Sequence, residues 1–348
     1  MPQLGIAIIG AGFIAGYHIE GLAGVEAAAV RVVGSRTLAK AQALADKNGI
    51  PGATTDIAGL LARSDIDAVV ITTPDDTHEE IALAAAASGK AILLQKPMAP
   101  TSLSCRRIMQ AAARAGVNLQ VSYMHRHFAE VVEAARLLRE GAIGEVKSVR
   151  LRNATPGPDW ADWFFDKRRV GGGVVLQLGV HGIDLVEHLF DRIVSVSAKL
   201  ATLQPKRRLA DDRVVAVENA DSAWAVYELA SGVVISHEMS MIEAQGCDRF
   251  RLEVYGTEGT IWLRSERGPL AVYAPQALGS SEWLTPALAV APFGLRQHQR
   301  WIDSLTSGGA SDASAEAGLR GVLVAEAMER SNAKAGRTMG VQVEATHA

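Results

Sequence analysis

Cysteine and long runs of one charge are scarce in this 348-residue chain. Its two cysteines, Cys105 and Cys247, have a spacing that fits neither a disulfide framework nor a cysteine-based zinc site, so a cytoplasmic location is expected. The chain carries 35 Lys and Arg against 38 Asp and Glu, which argues against a nucleic-acid partner. The apolar N-terminal stretch is broken by glycines and too short to span a bilayer, so no membrane partner is expected.

Hydrophobic residues make up 48% of the chain and follow two patterns. Up to Tyr123, short β-branched runs alternate with alanine-rich amphipathic stretches, as in a parallel sheet covered by helices. Beyond that point, partly alternating runs predict an open, mostly antiparallel sheet, and the polar segment 203–219 predicts a surface loop. The expected fold class is α/β, with a Rossmann dinucleotide-binding domain over 1–123 and an α+β domain over 124–348.

The first predicted strand runs into a glycine-rich turn, GAGFIAG. Gly10 permits the tight turn, Gly12 lets a pyrophosphate approach the backbone, and Ala15 occupies the third small position. Phe13 and Ile14 lie between them, where a helix N-terminus would supply amide donors. The turn therefore predicts dinucleotide binding, with a tight turn that binds nothing as the simpler alternative.

The end of the second predicted strand bears on the choice between NAD and NADP. An acidic residue there would bind the ribose hydroxyls, but this chain has Ser35 and Arg36, with Lys40 one helical turn later. A hydroxyl and a guanidinium suit a phosphate, so NADP is favoured over NAD. The alternative is that Arg36 stacks on adenine or faces water.

With the glycine turn, TTPDDTH and QKP taken together, the chain resembles the Gfo/Idh/MocA family of oxidoreductases along essentially its whole length. That resemblance implies reversible NAD(P)-linked oxidation of a secondary alcohol on a sugar, cyclitol or sugar derivative. It also implies a homo-oligomer, a dimer or tetramer, formed through the open sheet of the second domain. The positions that match the family's cofactor-site motifs are Thr73, Pro74, His78, Gln95 and Lys96.

The resemblance also implies a substrate site. Its residues are Tyr123, Arg126, Trp163, Gln177, His181 and Asp184. Two positions depart from the family pattern, because Gln95 and Gln177 stand where carboxylates are expected. Both changes leave hydrogen-bonding capacity but remove negative charge.

Proton transfer during oxidation needs a group that can accept the hydroxyl proton. Lys96 is expected at the carboxyl end of a parallel strand, where ligands bind in such sheets. His181 is the leading proton acceptor, since imidazole titrates near working pH. Asp184 is expected to orient His181 or bind a substrate hydroxyl, with surface solvation or an ion pair as the alternative. With Gln177 and His188, these two side chains would share one face of an α-helix.

Three further interpretations are weighed at this level. His125 and His127 hint at a metal site, but alternate residues of an extended segment point to opposite sides, so no metal is expected. The chain could also be a redox-coupled glycoside-processing enzyme that recycles its cofactor. A third possibility is a cofactor-binding regulatory protein without catalysis, against which the presence of both Lys96 and His181 argues.

Overall fold

A computed structural model describes residues 3–244, 249–265, 270–308 and 312–342. Cys105 is buried with a free thiol, while Cys247 lies outside the described residues. The chain forms two compact units. One contains the chain up to His127 together with Val290–Leu319, and the other contains Phe128–Ala289 and the chain from Arg320 onward.

The first unit holds a six-stranded parallel sheet in the order β3-β2-β1-β4-β5-β6, the arrangement of a Rossmann domain. Ile8 pairs with Val33 on one side and Val70 on the other, and all three are fully buried, as expected for strands covered on both faces. The sheet confirms the predicted fold class. Its strands are β1 Leu4–Ile9, β2 Ala28–Gly34, β3 Gly52–Thr54, β4 Ala68–Ile71, β5 Ala91–Gln95 and β6 Leu119–Ser122.

The described α-helices follow the amphipathic stretches of the sequence. They are α1 Phe13–Ala23, α2 Leu38–Asn48, α3 Ile57–Leu61, α4 His78–Ala87, α5 Ser102–Ala115, α6 Ala129–Arg139, α7 Val180–Leu189, α8 Pro275–Leu278, α9 Leu295–Thr306 and α10 Ala313–Ala333. None of the helices in the described ranges is both long and apolar enough to cross a membrane.

The second unit contains an eight-stranded sheet in the order β15-β14-β13-β7-β12-β11-β8-β16 and a small hairpin of β9 and β10. β7 and β12 pair in parallel, and the other neighbours pair antiparallel. The strands are β7 Val146–Ala154, β8 Ile193–Ala201, β9 Lys206–Arg208, β10 Val214–Ala216, β11 Ser222–Leu229, β12 Val234–Ser240, β13 Phe250–Gly256, β14 Thr260–Ser265, β15 Ala271–Tyr273 and β16 Met339–Gly340. The mostly antiparallel sheet confirms the prediction.

Three details differ from the sequence-based expectations. The segment 203–219 is not only a loop, because β9 and β10 pair within it. Met124–His127 forms a 3₁₀ turn rather than an extended segment. The first unit also includes 290–319, which the predicted boundary after Tyr123 assigns to the second domain. Patterns along the chain report local structure, whereas this last assignment depends on contacts between distant segments.

A buried polar cluster joins α9 to α1 within the first unit. Tyr17 donates its hydroxyl to Gln297 Oε1 at 2.7 Å, and His18 Nδ1 lies 2.8 Å from His298 Nε2. His298 Nδ1 lies 2.7 Å from the Gly294 carbonyl and must donate to it, so in the neutral ring Nε2 accepts from His18. These contacts explain why 290–319 belongs with the Rossmann sheet.

Burial makes this histidine pair sensitive to acid. It lowers the pKa of His298 to about 4, and burial together with the neighbouring His298 lowers the pKa of His18 well below its ordinary value. The unfolded chain would therefore bind more protons than the folded chain between about pH 4 and pH 6.5. Stability contributed by the pair is present above that range and is lost as pH falls through it.

We predict that replacing one ring reduces this pH dependence. In His298→Gln, the free energy of unfolding should be lower at pH 7 by about 1–3 kcal/mol because buried hydrogen bonds are lost. As pH falls, the free energy of unfolding of His298→Gln should decrease less steeply than that of the wild type. The slopes should differ by up to about 1.4 kcal/mol per pH unit. Urea titrations at neutral and mildly acidic pH would measure both. Identical pH dependence in the two proteins would contradict the role given to the pair.

Candidate active site

The glycine-rich turn lies between β1 and α1 and has the backbone geometry of a phosphate-binding loop. Gly10 adopts a φ of +116°, and a Cβ there would lie 2.6 Å from Thr72 Oγ1. Thr72, which the sequence interpretation missed, donates to the carbonyls of Ile9 and Gly10 and is itself buried. Glycine is therefore required at position 10 by both conformation and space.

Gly12 presents an open backbone at the start of α1. No described atom lies within 4 Å of where its Cβ would be. No side chain of the described residues caps α1, and no acidic residue lies in its first turn. Its first amides and positive dipole end can thus receive an anion. Phe13 is 83% exposed beside this opening and Ile14 is half-buried, so the loop fits a dinucleotide pyrophosphate.

The end of β2 carries the residues predicted to discriminate between cofactors. Ser35 is half-buried, and its Oγ accepts from the Thr37 amide at 3.4 Å. Arg36 and Lys40 are both exposed. These two cationic groups follow β2, which pairs with β1. The glycine-rich turn begins at the end of β1.

His78 holds together the loops that follow β4 and β5. It is 1% exposed; Nε2 lies 2.9 Å from the Thr73 carbonyl and Nδ1 lies 3.0 Å from the Pro97 carbonyl. Burial lowers its pKa, so the neutral ring donates a hydrogen to one of these two loops at a time. Thr73 and Pro74 are half-buried, which places them, rather than His78, at the accessible edge.

Gln95 and Lys96 stand at the carboxyl end of β5. Gln95 is buried, and its Oε1 accepts from the Lys96 amide at 3.2 Å. Lys96 is half-buried, and its peptide bond to Pro97 is cis. The glutamine therefore keeps a local hydrogen bond that a carboxylate could also make, without adding negative charge beside the lysine.

Tyr123 and Arg126 form a stacked pair after β6. Tyr123 is 2% exposed, and its hydroxyl donates to the Ala317 carbonyl at 3.5 Å. The Arg126 guanidinium lies 5.6 Å from the centre of the Tyr123 ring and is half-buried. The geometry makes Arg126 the accessible polar group of the two, with Tyr123 as its support.

Trp163 of the second unit lies in an aromatic cluster. It is half-buried and stacks on Phe164 with ring centres 3.8 Å apart, and the Arg169 guanidinium lies 5.7 Å from its centre. Phe165, the next aromatic residue, is buried. Phe164 thus covers one face of the Trp163 ring.

The helix carrying the predicted proton acceptor begins with a π-helical turn, Val175–Gly179, before α7. Gln177 lies in this wider turn and is half-buried. His181 and Asp184 are 3% and 2% exposed, whereas His188 is exposed. The expectation that all four share one α-helical face was therefore too simple, because a π-helical turn changes the angular register and His188 lies in a different environment.

Burial of Asp184 excludes surface solvation, one of the alternatives to a site role. Arg168, one of the two cations considered as its ion-pair partner, is paired with Asp166 at 2.8 Å. Among the described residues, no cluster of three or more His, Cys, Asp or Glu side chains is placed to hold a metal ion.

Two protein-family models match separate parts of the chain. Residues 4–123 match the model of the oxidoreductase family with an NAD-binding Rossmann fold, and residues 131–262 match the GFO/IDH/MocA C-terminal domain. An inositol 2-dehydrogenase of Saccharopolyspora erythraea is 30% identical over 331 residues, covering 94% of this chain and 93% of that protein.

Levoglucosan dehydrogenase is similar in both sequence and structure. The protein from Pseudarthrobacter phenanthrenivorans is 27% identical, with 96% of this chain and 97% of the relative covered. A structure of levoglucosan dehydrogenase in complex with NADH superimposes with a TM-score of 0.89 at 25% identity, covering 98% and 99% of the two chains. The similarity thus extends through both units.

Proposed function

The chain belongs to the Gfo/Idh/MocA oxidoreductase family, and we propose that it transfers a hydride between a nicotinamide dinucleotide and a secondary alcohol of a sugar, cyclitol or related polyol. The position of Lys96 carries the proposal. It follows a buried strand of the NAD-binding sheet at the edge where such sheets bind ligands. Relatives named inositol 2-dehydrogenase and levoglucosan dehydrogenase support the substrate class.

The residues divide the chemistry between them. The nicotinamide, when bound, accepts or returns the hydride. We assign the pyrophosphate to Gly10 and Gly12, and the polar edge beside the reacting carbon to Thr73 and Lys96. The Lys96 ammonium donates to the substrate oxygen and stabilises the negative charge that develops as the hydroxyl proton leaves.

His181 is assigned as the proton acceptor during oxidation. Its imidazole can take one proton and return it in the reverse reaction. Asp184, one helical turn later, is assigned to keep the ring oriented, and Gln177, Arg126 and Trp163 to contact the substrate. Gln177 can both donate to and accept from vicinal hydroxyls.

We predict that removing either proton-handling group abolishes most turnover while leaving the fold intact. Lys96→Met and His181→Asn should each lower kcat by about 10²- to 10⁴-fold, because Lys96 stabilises the developing negative charge and His181 accepts the proton. Absorbance of the reduced nicotinamide over a panel of sugars, inositols and sugar acids measures this, with His188→Gln as the control on α7.

Three outcomes would separate the readings of this site. Full activity of Lys96→Met on an identified substrate would contradict the assigned mechanism. Product release without net change in reduced cofactor would favour redox-coupled glycoside processing. Cofactor binding without any turnover would favour a regulatory protein.

We further propose that NADP is preferred over NAD. Arg36 is exposed directly after β2, and Ser35 lies beside it, so a guanidinium and a hydroxyl are available to a 2′-phosphate. Lys40 adds a second positive charge in the first turn of α2. NADH bound to levoglucosan dehydrogenase makes NAD the competing choice.

We predict that Arg36→Gln weakens NADPH binding by about 10- to 100-fold, which is the loss of one charge-assisted hydrogen bond. NADH binding should change little, because NADH lacks the 2′-phosphate. Fluorescence titration measures both dissociation constants, and Lys47→Gln, an exposed cation in the last turn of α2, serves as the control. Equal effects on the two cofactors, or tighter NADH binding by the wild type, would exclude the proposed preference.

The outer face of the second unit's sheet is proposed to bind a second copy of the chain. Trp224, Val226 and Val234 are 43%, 47% and 49% exposed on adjacent strands β11 and β12. Arg152 on neighbouring β7 pairs with Glu238 at 3.4 Å, which reduces the cost of covering these charges. A face that combines exposed apolar side chains with internally paired charges suits a self-complementary dimer or tetramer.

The cytoplasmic location expected from the scarcity of cysteine stays a prediction.

We predict that Trp224→Glu shifts the protein to a smaller species, because a carboxylate would be buried without a partner at the interface. Sedimentation velocity measures the change. The matched control is Val290→Glu, at an 84% exposed apolar position of the first unit. A monomeric wild type, or an unchanged assembly of Trp224→Glu, would show that this face is not the interface.

A further inference from the structure

Three buried polar side chains lie on the inner face of the second unit's sheet, on three adjacent strands. Asn153 on β7 and Tyr227 on β11 are fully buried, and His237 on β12 between them is 2% exposed. The surrounding inner face is apolar and includes Leu151, Ile235 and Met239. Apolar residues would fill such positions at no desolvation cost, so the polar set calls for an explanation beyond packing.

Two hydrogen bonds join the three side chains, and each runs from donor to acceptor in the order Tyr227, His237, Asn153. His237 Nε2 lies 2.8 Å from Asn153 Oδ1, and since a carboxamide oxygen only accepts, Nε2 carries the hydrogen. Burial lowers the pKa of His237 to about 3, so the ring is neutral and Nδ1 has a free lone pair. The Tyr227 hydroxyl donates to that nitrogen at 2.9 Å. The tautomer and orientation of the imidazole are therefore fixed from both sides.

The helix that bears His181 rests on this set through a glycine. A Cβ added at Gly182 would overlap Asn153 Oδ1 and lie 2.7 Å from His237 Cε1. One turn earlier, a Cβ at Gly179 would overlap Met239 Sδ. The two glycines, three positions apart, thus place the helix backbone directly on β7 and β12. His181 immediately precedes the residue that makes the closest approach.

We propose that Asn153, His237 and Tyr227 are positioning residues for His181, and that they act by fixing the seat of Gly182. The proposal rests on the proposed function, since it assigns these residues to the proton acceptor of that reaction. This hydrogen-bonded set of three side chains, the seat, holds the first turn of α7 at a fixed distance from the sheet. The same distance fixes the position of the His181 imidazole. Misplacement of an acceptor by about 1 Å can cost about 10²-fold in rate.

The other end of α7 is anchored independently. Arg320 pairs with Glu187, with Arg320 Nη2 at 2.5 Å from Glu187 Oε1, and also donates to the Ile193 carbonyl at 2.7 Å. The Ile193 amide donates back to Glu187 Oε1 at 2.9 Å. Because this contact fixes the last turn, changes at Gly182 are expected to displace mainly the first turn, where His181 lies.

Enlarging the glycine tests the seat. Gly182→Ala should lower kcat by about 10- to 100-fold while changing the KM for cofactor less than about twofold, since the cofactor residues lie in the first unit. The new methyl group would press on both Asn153 and His237. A folded Gly182→Ala with normal kcat would overturn the proposal.

A second variant keeps the test independent of whether Gly182→Ala folds. Tyr227→Phe preserves the ring but removes the one hydrogen-bond donor to His237 Nδ1 found among the described residues. The imidazole resonances of His181 are identified by their loss in His181→Asn. Recorded between about pH 5 and pH 8, their chemical shifts should differ between Tyr227→Phe and the wild type. His188→Gln, at the exposed end of α7, should leave them unchanged.

The two readouts separate this inference from the proposed function. Resonances of His181 that superimpose in Tyr227→Phe and wild type would overturn the positioning role, whatever the enzyme oxidises. If the wild type oxidises no polyol but the resonances shift as expected, the proposed reaction fails and the seat stands.

Discussion

The imidazole of His78 constrains the cofactor edge of the first unit, because it contacts the loops that follow two neighbouring parallel strands. Thr73 belongs to one loop and Pro97 to the other, and the ring spans their carbonyls at 2.9 and 3.0 Å. β4 and β5 already hold the loops side by side through their pairing, but sheet hydrogen bonds end at Leu94 on that side. Beyond that point the buried ring takes over the connection, and the position of Lys96 depends on it.

The proposed cofactor-binding residues could be predicted from sequence because the patterns that point to them are local. The turn at Gly10 and Gly12, the strand before Lys96 and the residues after β2 lie within short segments whose spacing reflects strand and helix periods. The sequence also suggested His78, but as a cofactor contact. Its burial between two carbonyls could not be foreseen, because Pro97 is distant from it in sequence and the contact depends on strand order.

The second unit was less predictable for the same physical reason. Alternation in β11 and β12 predicted strands, yet nothing local indicates that Asn153 and His237 meet on parallel neighbours, or that the helix with His181 opens with a π-helical turn. A regular 3.6-residue period was the natural assumption for Gln177 to His188, and one wider turn is enough to invalidate it. Glycines at 179 and 182 were visible in the sequence, but only the strands beneath them explain their small size.

Because β7 pairs in parallel with β12, residues that are synthesised early form one surface with residues that are synthesised much later. Asn153 leaves the ribosome before α7, whereas His237 and Met239 follow only after β8 and β11. A chain truncated before β12 contains the whole of α7 and its histidine, but lacks the part of the supporting surface that β12 supplies. Deletion or split-protein designs that cut this unit between α7 and β12 would therefore separate His181 from its support.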